Sequence, residues 1–316
     1  MKRRNKVVTA VAVTVAVLAV LLAGASVYMV NYALCPEKED VAVSEKRMLE
    51  EYPQLVPWTD SLRACGALRD TFVTAPDGAR LHALYVRAPR PTRRTAVIVH
   101  GYTDNAVRML HIGYLYHAGL GYNILLPDLR HAGLSDGEAI QMGWLDRKDV
   151  GQWLGEVPAL FGDSVRAVVH GISMGAATTM MVSGDSVPDF VRCYVADCGY
   201  TDVWEQFSKE LKGQFGLPAF PLLYTAGWVC QARYGWNFKE ASALRQVAGC
   251  RLPMFFIHGD KDDYVPTWMV YELYDAKPEP KELWVTEGVD HAHSYKMYPE
   301  EYTRRVGRFA ETWLDR

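Results

Sequence analysis

The sequence predicts an α/β fold: a mostly parallel central sheet with helices on both faces and a small helical cap, preceded by an N-terminal transmembrane helix. Three observations predict it. Short runs rich in β-branched residues alternate with helix-patterned stretches from Thr95 onward. That is the spacing of right-handed βαβ units and implies parallel strands. One of those runs, Val165 to Val169, leads into Gly171-Ile172-Ser173-Met174-Gly175 and then a helical stretch from Ala176 to Ser183. Close to the N-terminus, Val7 to Val30 carries no charge at all.

That uncharged run spans about 36 Å as a helix, enough to cross a hydrocarbon core of ~30 Å. Lys2, Arg3, Arg4 and Lys6 precede it, and such a cluster stays on the cytoplasmic side. Everything after about Asn31 is then exported, so the chain is expected at the cell membrane as a single-pass protein with its C-terminal domain outside the cytoplasm. The rival reading is a signal peptide cleaved at Ala23-Gly24-Ala25, leaving a secreted protein. The apolar run continues past that site through Val27, Tyr28, Met29 and Val30, which favours the anchor. Cys35 is a poor lipoprotein site, because Tyr32-Ala33-Leu34 ahead of it is too bulky.

The organisation expected is an anchor or signal segment over 1–31, a stalk over 32–69 and a large domain over 70–316, with a cap inserted at about 201–250. The 316 residues, 49% of them apolar, suffice for one large α/β domain with an insertion. A net charge of −3 does not suit a nucleic-acid-binding surface. There are six cysteines. Cys230 and Cys250 flank the cap and form the candidate disulfide pair in an oxidising compartment. Cys193 and Cys198 read as small apolar residues in or beside a strand.

In order, Pro36 to Leu68 is polar, with Pro53 and Pro57, and reads as a stalk with one short helix. Thr71–Ala75 and Arg80–Arg87 form a hairpin about Pro76-Asp77-Gly78. Thr95–Val99 is a strand ending in His100-Gly101-Tyr102, and Ala106–Ala118 is helical. Tyr122–Leu126 is the next strand, and Asp146 opens a helix to about Phe161. Phe190–Ala196 is a strand, after which nine aromatics between Trp204 and Phe238 break the rhythm. That stretch reads as a helical cap over the carboxyl ends of the strands, where ligands bind in open α/β sheets. The alternation resumes with a strand at Pro253–Ile257, a helix at Thr267–Lys277, a strand at Lys281–Val285 and a closing helix at Glu300–Leu314.

The chemistry starts from Ser173. The bare Gly-x-Ser-x-Gly pattern arises by chance in roughly one chain in ten of this length, but a preceding strand and following helix make it a nucleophile elbow. A serine hydroxyl needs a base, and the base needs an orienting group. On such an elbow the partners follow in the order serine, acid, histidine. His258-Gly259-Asp260-Lys261-Asp262-Asp263 follows one strand, and Gly288-Val289-Asp290-His291-Ala292-His293 follows the next. Composition and spacing leave Asp260, Asp262 and Asp263 open as the acid, and His291 and His293 open as the base. The His-x-His pair has no accompanying Cys or His cluster, so neither metal nor cofactor is expected. His100 and His170 read as structural.

The chain resembles α/β-hydrolases of the serine esterase, lipase and acylaminopeptidase-like group, over about Asp70 to Arg316. His100-Gly101-Tyr102 gives it a cinnamoyl-esterase-like flavour. The matching motifs are Pro127-Asp128-Leu129-Arg130, Gly171 to Gly175, His258-Gly259 through Asp262 to Val265-Pro266, and Gly288 through His291. The family's H-G-x-x-D-x-x-V-P arrangement puts the acid at Asp262, and its G-x-x-H arrangement puts the base at His291. The resemblance therefore implies a Ser173–His291–Asp262 triad. One departure is His131-Ala132-Gly133, where the family often has Gly-His-Gly or Ala-His-Gly. The oxyanion needs two N–H donors. Met174 follows the nucleophile and offers one, and Tyr102, on the loop after Thr95–Val99, is expected to offer the other.

The resulting expectation is a serine hydrolase cleaving carboxylic esters or related small acyl compounds through an acyl-enzyme. A serine aminopeptidase or acyltransferase with the same triad is the alternative. A non-catalytic binding module on this fold is a third reading, which the intact triad order opposes.

Overall fold

One twisted sheet of eight strands carries the larger part of the protein. The computed structural model describes residues 2–316; Met1 and the side chains of Lys2 and Arg3 lie outside the described residues, and with them two charges of the expected N-terminal cluster. The strands are β1 (Arg69–Thr74), β2 (Arg80–Val86), β3 (Arg94–Val99), β4 (Asn123–Pro127), β5 (Arg166–Ile172), β6 (Val191–Asp197), β7 (Met254–Gly259) and β8 (Lys281–Thr286). Their order is β1-β2-β4-β3-β5-β6-β7-β8. β1 pairs antiparallel with β2, and β2 with β4; every other pairing is parallel. The parallel strands β3, β4 and β7 are buried along their length or nearly so, which is why they read as continuous apolar runs rather than alternating ones.

The chain divides into two compact units, 1–36 with 203–241, and 37–202 with 242–316. The smaller unit contains α1 (Lys2–Leu34). In the larger, α2 (Val41–Glu51), a short 3-10 turn at Pro53–Leu55 and α3 (Val56–Ala64) precede the sheet. The sequence predicts a stalk here, and the structure differs. Ser44, Met48, Tyr52, Leu55, Thr59 and Leu62 are all buried, at the three- and four-residue spacing of one helical face. Met48, Tyr52, Leu55 and Leu62 join the main core with Ile98, Ile124, Phe255 and Phe309. Asp40 caps α2 by accepting from the Ala42 and Val43 N–H groups.

Where Ala106–Ala118 suggests one helix, the chain forms turns, then α4 (Leu110–Tyr114) and a π-helical turn at Leu115–Gly119. α5 (Asp146–Phe161) and α6 (Met174–Val182) follow. Every residue of α6 is buried, so it shows no amphipathic stripe. α7 (Val203–Phe215) and α8 (Leu222–Tyr234) belong to the smaller unit, whereas α9 (Ala243–Gly249) packs on α6 in the larger. The insertion is thus shorter than the expected 201–250. α10 (Trp268–Ala276), α11 (Ser294–Met297) and α12 (Pro299–Leu314) complete the larger unit. α12 starts with Pro299, Glu300 and Glu301, residue types that suit a helix N-terminus. It buries Tyr302, Val306, Phe309 and Ala310 against β5 and β6.

Within the smaller unit, α1 packs along α8, burying Ser26, Val30 and Leu34. The aromatics of this unit largely satisfy one another. Phe207 meets Phe238 edge-on with ring centroids 4.9 Å apart, and Trp204 meets Tyr224 at 4.7 Å. Trp236 and Phe238 are almost fully buried. All six cysteines are free thiols, so the expected Cys230–Cys250 disulfide does not form. Cys250 instead directs its thiol to the Leu252 carbonyl at 3.4 Å, and Cys230 is buried on α8.

Candidate active site

Ser173 stands between β5 and α6 with φ 57° and ψ −121°, a left-handed conformation that costs a non-glycine residue free energy. Packing holds it there. A Cβ on Gly171 would lie 2.0 Å from the Gly175 carbonyl oxygen, and one on Gly175 would lie 2.1 Å from the Val99 carbonyl oxygen. Only glycine permits the strand and helix to approach this closely at both positions. The Ser173 N–H donates to the Asp197 carbonyl at 2.8 Å, which fixes the turn to the end of β6. The side chain is about nine-tenths buried, with 9% of its surface exposed.

The structure brings the residues of three loops together. Ser173 Oγ lies 2.8 Å from His291 Nε2, and His291 Nδ1 lies 2.7 Å from Asp262 Oδ2. The tautomer consistent with this has Nδ1–H donating to the carboxylate, leaving Nε2 to accept from the serine hydroxyl. The carboxylates Asp260 and Asp262 of the acid loop take different partners. Asp262 is buried, and its Oδ1 accepts from the Tyr264 and Val265 N–H groups at 3.1 and 2.8 Å. Asp260 instead accepts from the Gly288 N–H at 2.7 Å and stitches the acid loop to the histidine loop. In the histidine loop, His293 turns to Asp290 at 2.5 Å while His291 faces Ser173. The two imidazoles of the His-x-His pair therefore serve different partners.

Burial pushes the Asp262 carboxyl up, but hydrogen bonds from His258 and His291 outweigh it and bring the group down to about 2. Asp262 is therefore ionised at neutral pH, as an orienting acid must be. His258, the histidine of the His258-Gly259 motif, lies near the end of β7. Its Nε2–H donates to the Val265 carbonyl at 2.8 Å and lies 3.2 Å from Asp262 Oδ2. It approaches the same carboxylate oxygen that faces His291.

Sequence reasoning also missed Asp197. It ends β6, next to the elbow, and is fully buried. Burial raises its carboxyl to about 6, against the lowering effect of a 2.8 Å hydrogen bond donated by Tyr302. Tyr302 OH lies 3.0 Å from His170 Nε2, and His170 Nδ1 lies 3.1 Å from Tyr116 OH. Burial drives His170 down to about 3, so it stays neutral and links α12 to the sheet, as its place in β5 suggests. A buried Asp beside an elbow gives no periodic signal, because its partners Tyr302 and His170 are remote in sequence.

The loop after β3 lies against the elbow. A Cβ on Gly101 would come within 3.6 Å of Ser173 Cβ. His100 Nε2 accepts from the Leu129 N–H at 2.9 Å, and its Nδ1–H donates to the Gly101 carbonyl at 2.8 Å. His100 thus ties this loop to the end of β4. Met174 opens α6, where first-turn N–H groups lack helical partners, and Tyr102 follows Gly101 on the loop that approaches Ser173. Asp128 accepts from the Ala106 and Leu134 N–H groups at 2.6 and 2.9 Å, and Arg130 clasps Asp149 and Asp77. The Pro127–Arg130 motif therefore builds the loop framework. Of groups able to hold a metal, Cys198, Asp262 and His291 have ligand atoms within 4.8 Å of one another. Burial raises the Cys198 thiol well above its usual range, and Asp262 and His291 already bond each other, so this set is a poor ligand cluster.

A buried elbow serine, a histidine and an ionised carboxylate on an eight-stranded, mostly parallel sheet define a serine hydrolase of the α/β-hydrolase fold. Residues 141–316 match the prolyl oligopeptidase family, and the chain belongs to that family. It is 32% identical over 231 residues to the Bacillus subtilis protein YqkD, covering 73% of this chain and 75% of that one. It is 26% identical over 250 residues to the Mycobacterium tuberculosis protein Rv2307c, covering 78% and 81%. Among solved structures it is similar to the Pyrococcus furiosus esterase Pf2001, with 25% identity, a TM-score of 0.64, and coverage of 78% of this chain and 93% of that one.

Proposed function

We propose that this protein is a membrane-anchored esterase that hydrolyses carboxylic esters of small acyl compounds through an acyl-enzyme on Ser173. The observation that carries the proposal is the continuous hydrogen-bonded line from Ser173 through His291 to Asp262, at 2.8 and 2.7 Å. Ser173 Oγ attacks the ester carbonyl carbon while His291 Nε2 takes its proton. Asp262 stabilises the imidazolium that forms and stays ionised itself. The Tyr102 and Met174 N–H groups donate to the oxyanion. Collapse of the tetrahedral intermediate expels the alcohol, which takes the proton from His291, and water then releases the acid by the same steps in reverse. The likeness to an esterase over 93% of that chain favours this substrate class.

The family match favours a second reading, in which a peptide or aminoacyl amide is the acyl donor. A panel of aryl esters of varied acyl length, run beside aminoacyl anilides with Ser173→Ala as the blank, separates the two. The ester reading expects ester turnover that falls ~10³-fold or more in Ser173→Ala, since triad members act as a unit. Turnover of the anilides alone overturns it in favour of the peptidase. Unchanged turnover in Ser173→Ala rejects the site.

The anchor is α1. Its candidate span, Arg4–Leu34, is exposed at every residue from Arg4 to Leu21, as a lipid-facing helix requires and a core helix does not. Its last turns bury Ser26, Val30 and Leu34 in packing with α8. Cleavage at Ala25 would strip α8 of that partner, which favours retention of the helix and a hydrolase held at the membrane; the basic cluster ahead of Val7 favours the extracytoplasmic side for the domain.

A further inference from the structure

Resting on the reading of α1 as a membrane anchor, we infer that residues 213–232 of the smaller unit form a second membrane contact, dipping into the lipid headgroup region beside α1. Three observations within that unit converge on it. The first is composition. From Gly213 to Ala232 there is no charged residue, and Lys212 and Arg233 bracket the stretch. α7 ends within it at Phe215, and α8, which fills its second half, has 13 residues. At about 1.5 Å per residue that is about 20 Å, too short to span a bilayer but suited to an interfacial or re-entrant segment.

The second is register. Ser26 Oγ bonds Thr225 Oγ1 at 2.6 Å, Arg233 donates to Asn31 Oδ1 at 2.6 Å, and Cys35 Sγ lies 3.2 Å from Tyr234 OH. α8 therefore runs parallel to the end of α1, with its first turn level with Leu22 to Ser26. Crossing the hydrocarbon core takes about 20 residues, which counted from Val7 ends at Ser26. The connection into α8, with Phe220, lies at that boundary. One hydroxyl of the Ser26–Thr225 pair donates to the other at 2.6 Å, and the acceptor of that bond donates in turn to a carbonyl of its own helix, Ser26 to Leu22 at 2.7 Å or Thr225 to Leu222 at 3.0 Å. No polar group of the pair is left without a partner, as a site next to hydrocarbon demands.

The third is the pattern of exposure. Phe220 is 72% and Trp228 67% exposed, and Leu217, Tyr28 and Tyr32 of the same unit are exposed as well. Phe220 meets Tyr224 edge-on at 5.8 Å and Tyr28 stacks on Tyr32 at 6.2 Å, yet these rings stay exposed, and large apolar side chains left exposed mark a contact surface. Trp and Tyr at this level are the residues of a membrane interface belt. Along α8 the exposed face changes from Tyr224 and Trp228 to Gln231 and Arg233, in the direction that α1 changes from Val7–Leu21 to Asn31. The polarity of the two helices rises together, away from the bilayer.

The test uses the full chain in phosphatidylcholine vesicles, with Cys65→Ser to remove the exposed thiol. An environment-sensitive fluorophore is placed by Phe220→Cys, Trp228→Cys, Leu18→Cys or Lys46→Cys, each checked for wild-type circular dichroism and thermal midpoint. The cysteine-unmodified background sets the blank. Phosphatidylcholine bearing a nitroxide near the glycerol end of its acyl chain should quench the probes at 220 and 228 by roughly twofold or more, as expected for side chains buried to headgroup depth. The probe at 46 should respond only to aqueous iodide. Quenching at 18 with iodide quenching alone at 220 and 228 overturns the inference and leaves the anchor standing. Shielding of 220 and 228 from both quenchers means that protein, such as a second copy, covers the face, and also overturns it. Absence of lipid quenching at 18 removes the anchor reading, and this inference with it.

Discussion

Asp262→Asn changes a single atom of the candidate site and separates catalysis from folding. In the wild type, Oδ2 accepts from His291 Nδ1 at 2.7 Å and lies 3.2 Å from His258 Nε2. An asparagine presents either an NH₂ group to His291, which forces the proton onto Nε2 and leaves no base for Ser173, or a neutral oxygen that cannot stabilise an imidazolium. Turnover of an aryl ester should fall about 10⁴-fold with KM little changed, the scale seen when a triad aspartate becomes asparagine. The same carboxyl also links stability to pH. Its value is depressed from 3.8 to about 2, so its contribution is present above pH 3.8 and lost as pH falls toward 2. The difference corresponds to about 2 kcal/mol. Urea midpoints of the wild type should therefore drop between pH 4 and pH 2, and the asparagine variant should lack that component. A variant whose kcat stays within about tenfold of wild type would falsify the triad reasoning.

Two further predictions concern the framework. In Gly171→Ala the new Cβ meets the Gly175 carbonyl at 2.0 Å, so the elbow must open; ester turnover should fall by ~10²-fold or more even where folded protein is recovered, since small displacements of the nucleophile are costly, and wild-type kinetics would refute the packing argument. Glu51 on α2 accepts from Arg108 and Lys296, both at 3.1 Å, and so joins the loop after β3 to α11, which follows the histidine loop. Because these partners are only partly buried, Glu51→Ala should lower stability by about 1 kcal/mol, read from urea denaturation, and an unchanged midpoint would show that the clasp contributes nothing.

The elbow and the three loops were legible because each is local: a few residues at a strand end whose order along the chain follows the order of the sheet. That Asp262 rather than Asp260 faces His291 was not legible from spacing. It depends on burial and on Gly288 claiming Asp260, a contact across loops. The helices at 41–64 were misread because their exposed faces are charged, while the buried set at Ser44, Met48, Tyr52, Leu55, Thr59 and Leu62 repeats at helical spacing and was there to be found. The end of the insertion was misplaced at Cys250 for a related reason. α9 has apolar residues like those of the inserted helices, and only its packing on α6 assigns it to the larger unit. Asp197, Tyr302, His170 and Tyr116 form a buried polar chain whose members are scattered in sequence, and no pattern announces it.

The most direct measurement is covalent capture of the nucleophile. The folded full-length protein is treated with a fluorophosphonate and digested, and the labelled peptide is sequenced by mass spectrometry. The account predicts one phosphonyl adduct on Ser173, absent from Ser173→Ala and strongly slowed in His291→Ala. An unlabelled wild-type protein, or a label that persists in Ser173→Ala, contradicts it.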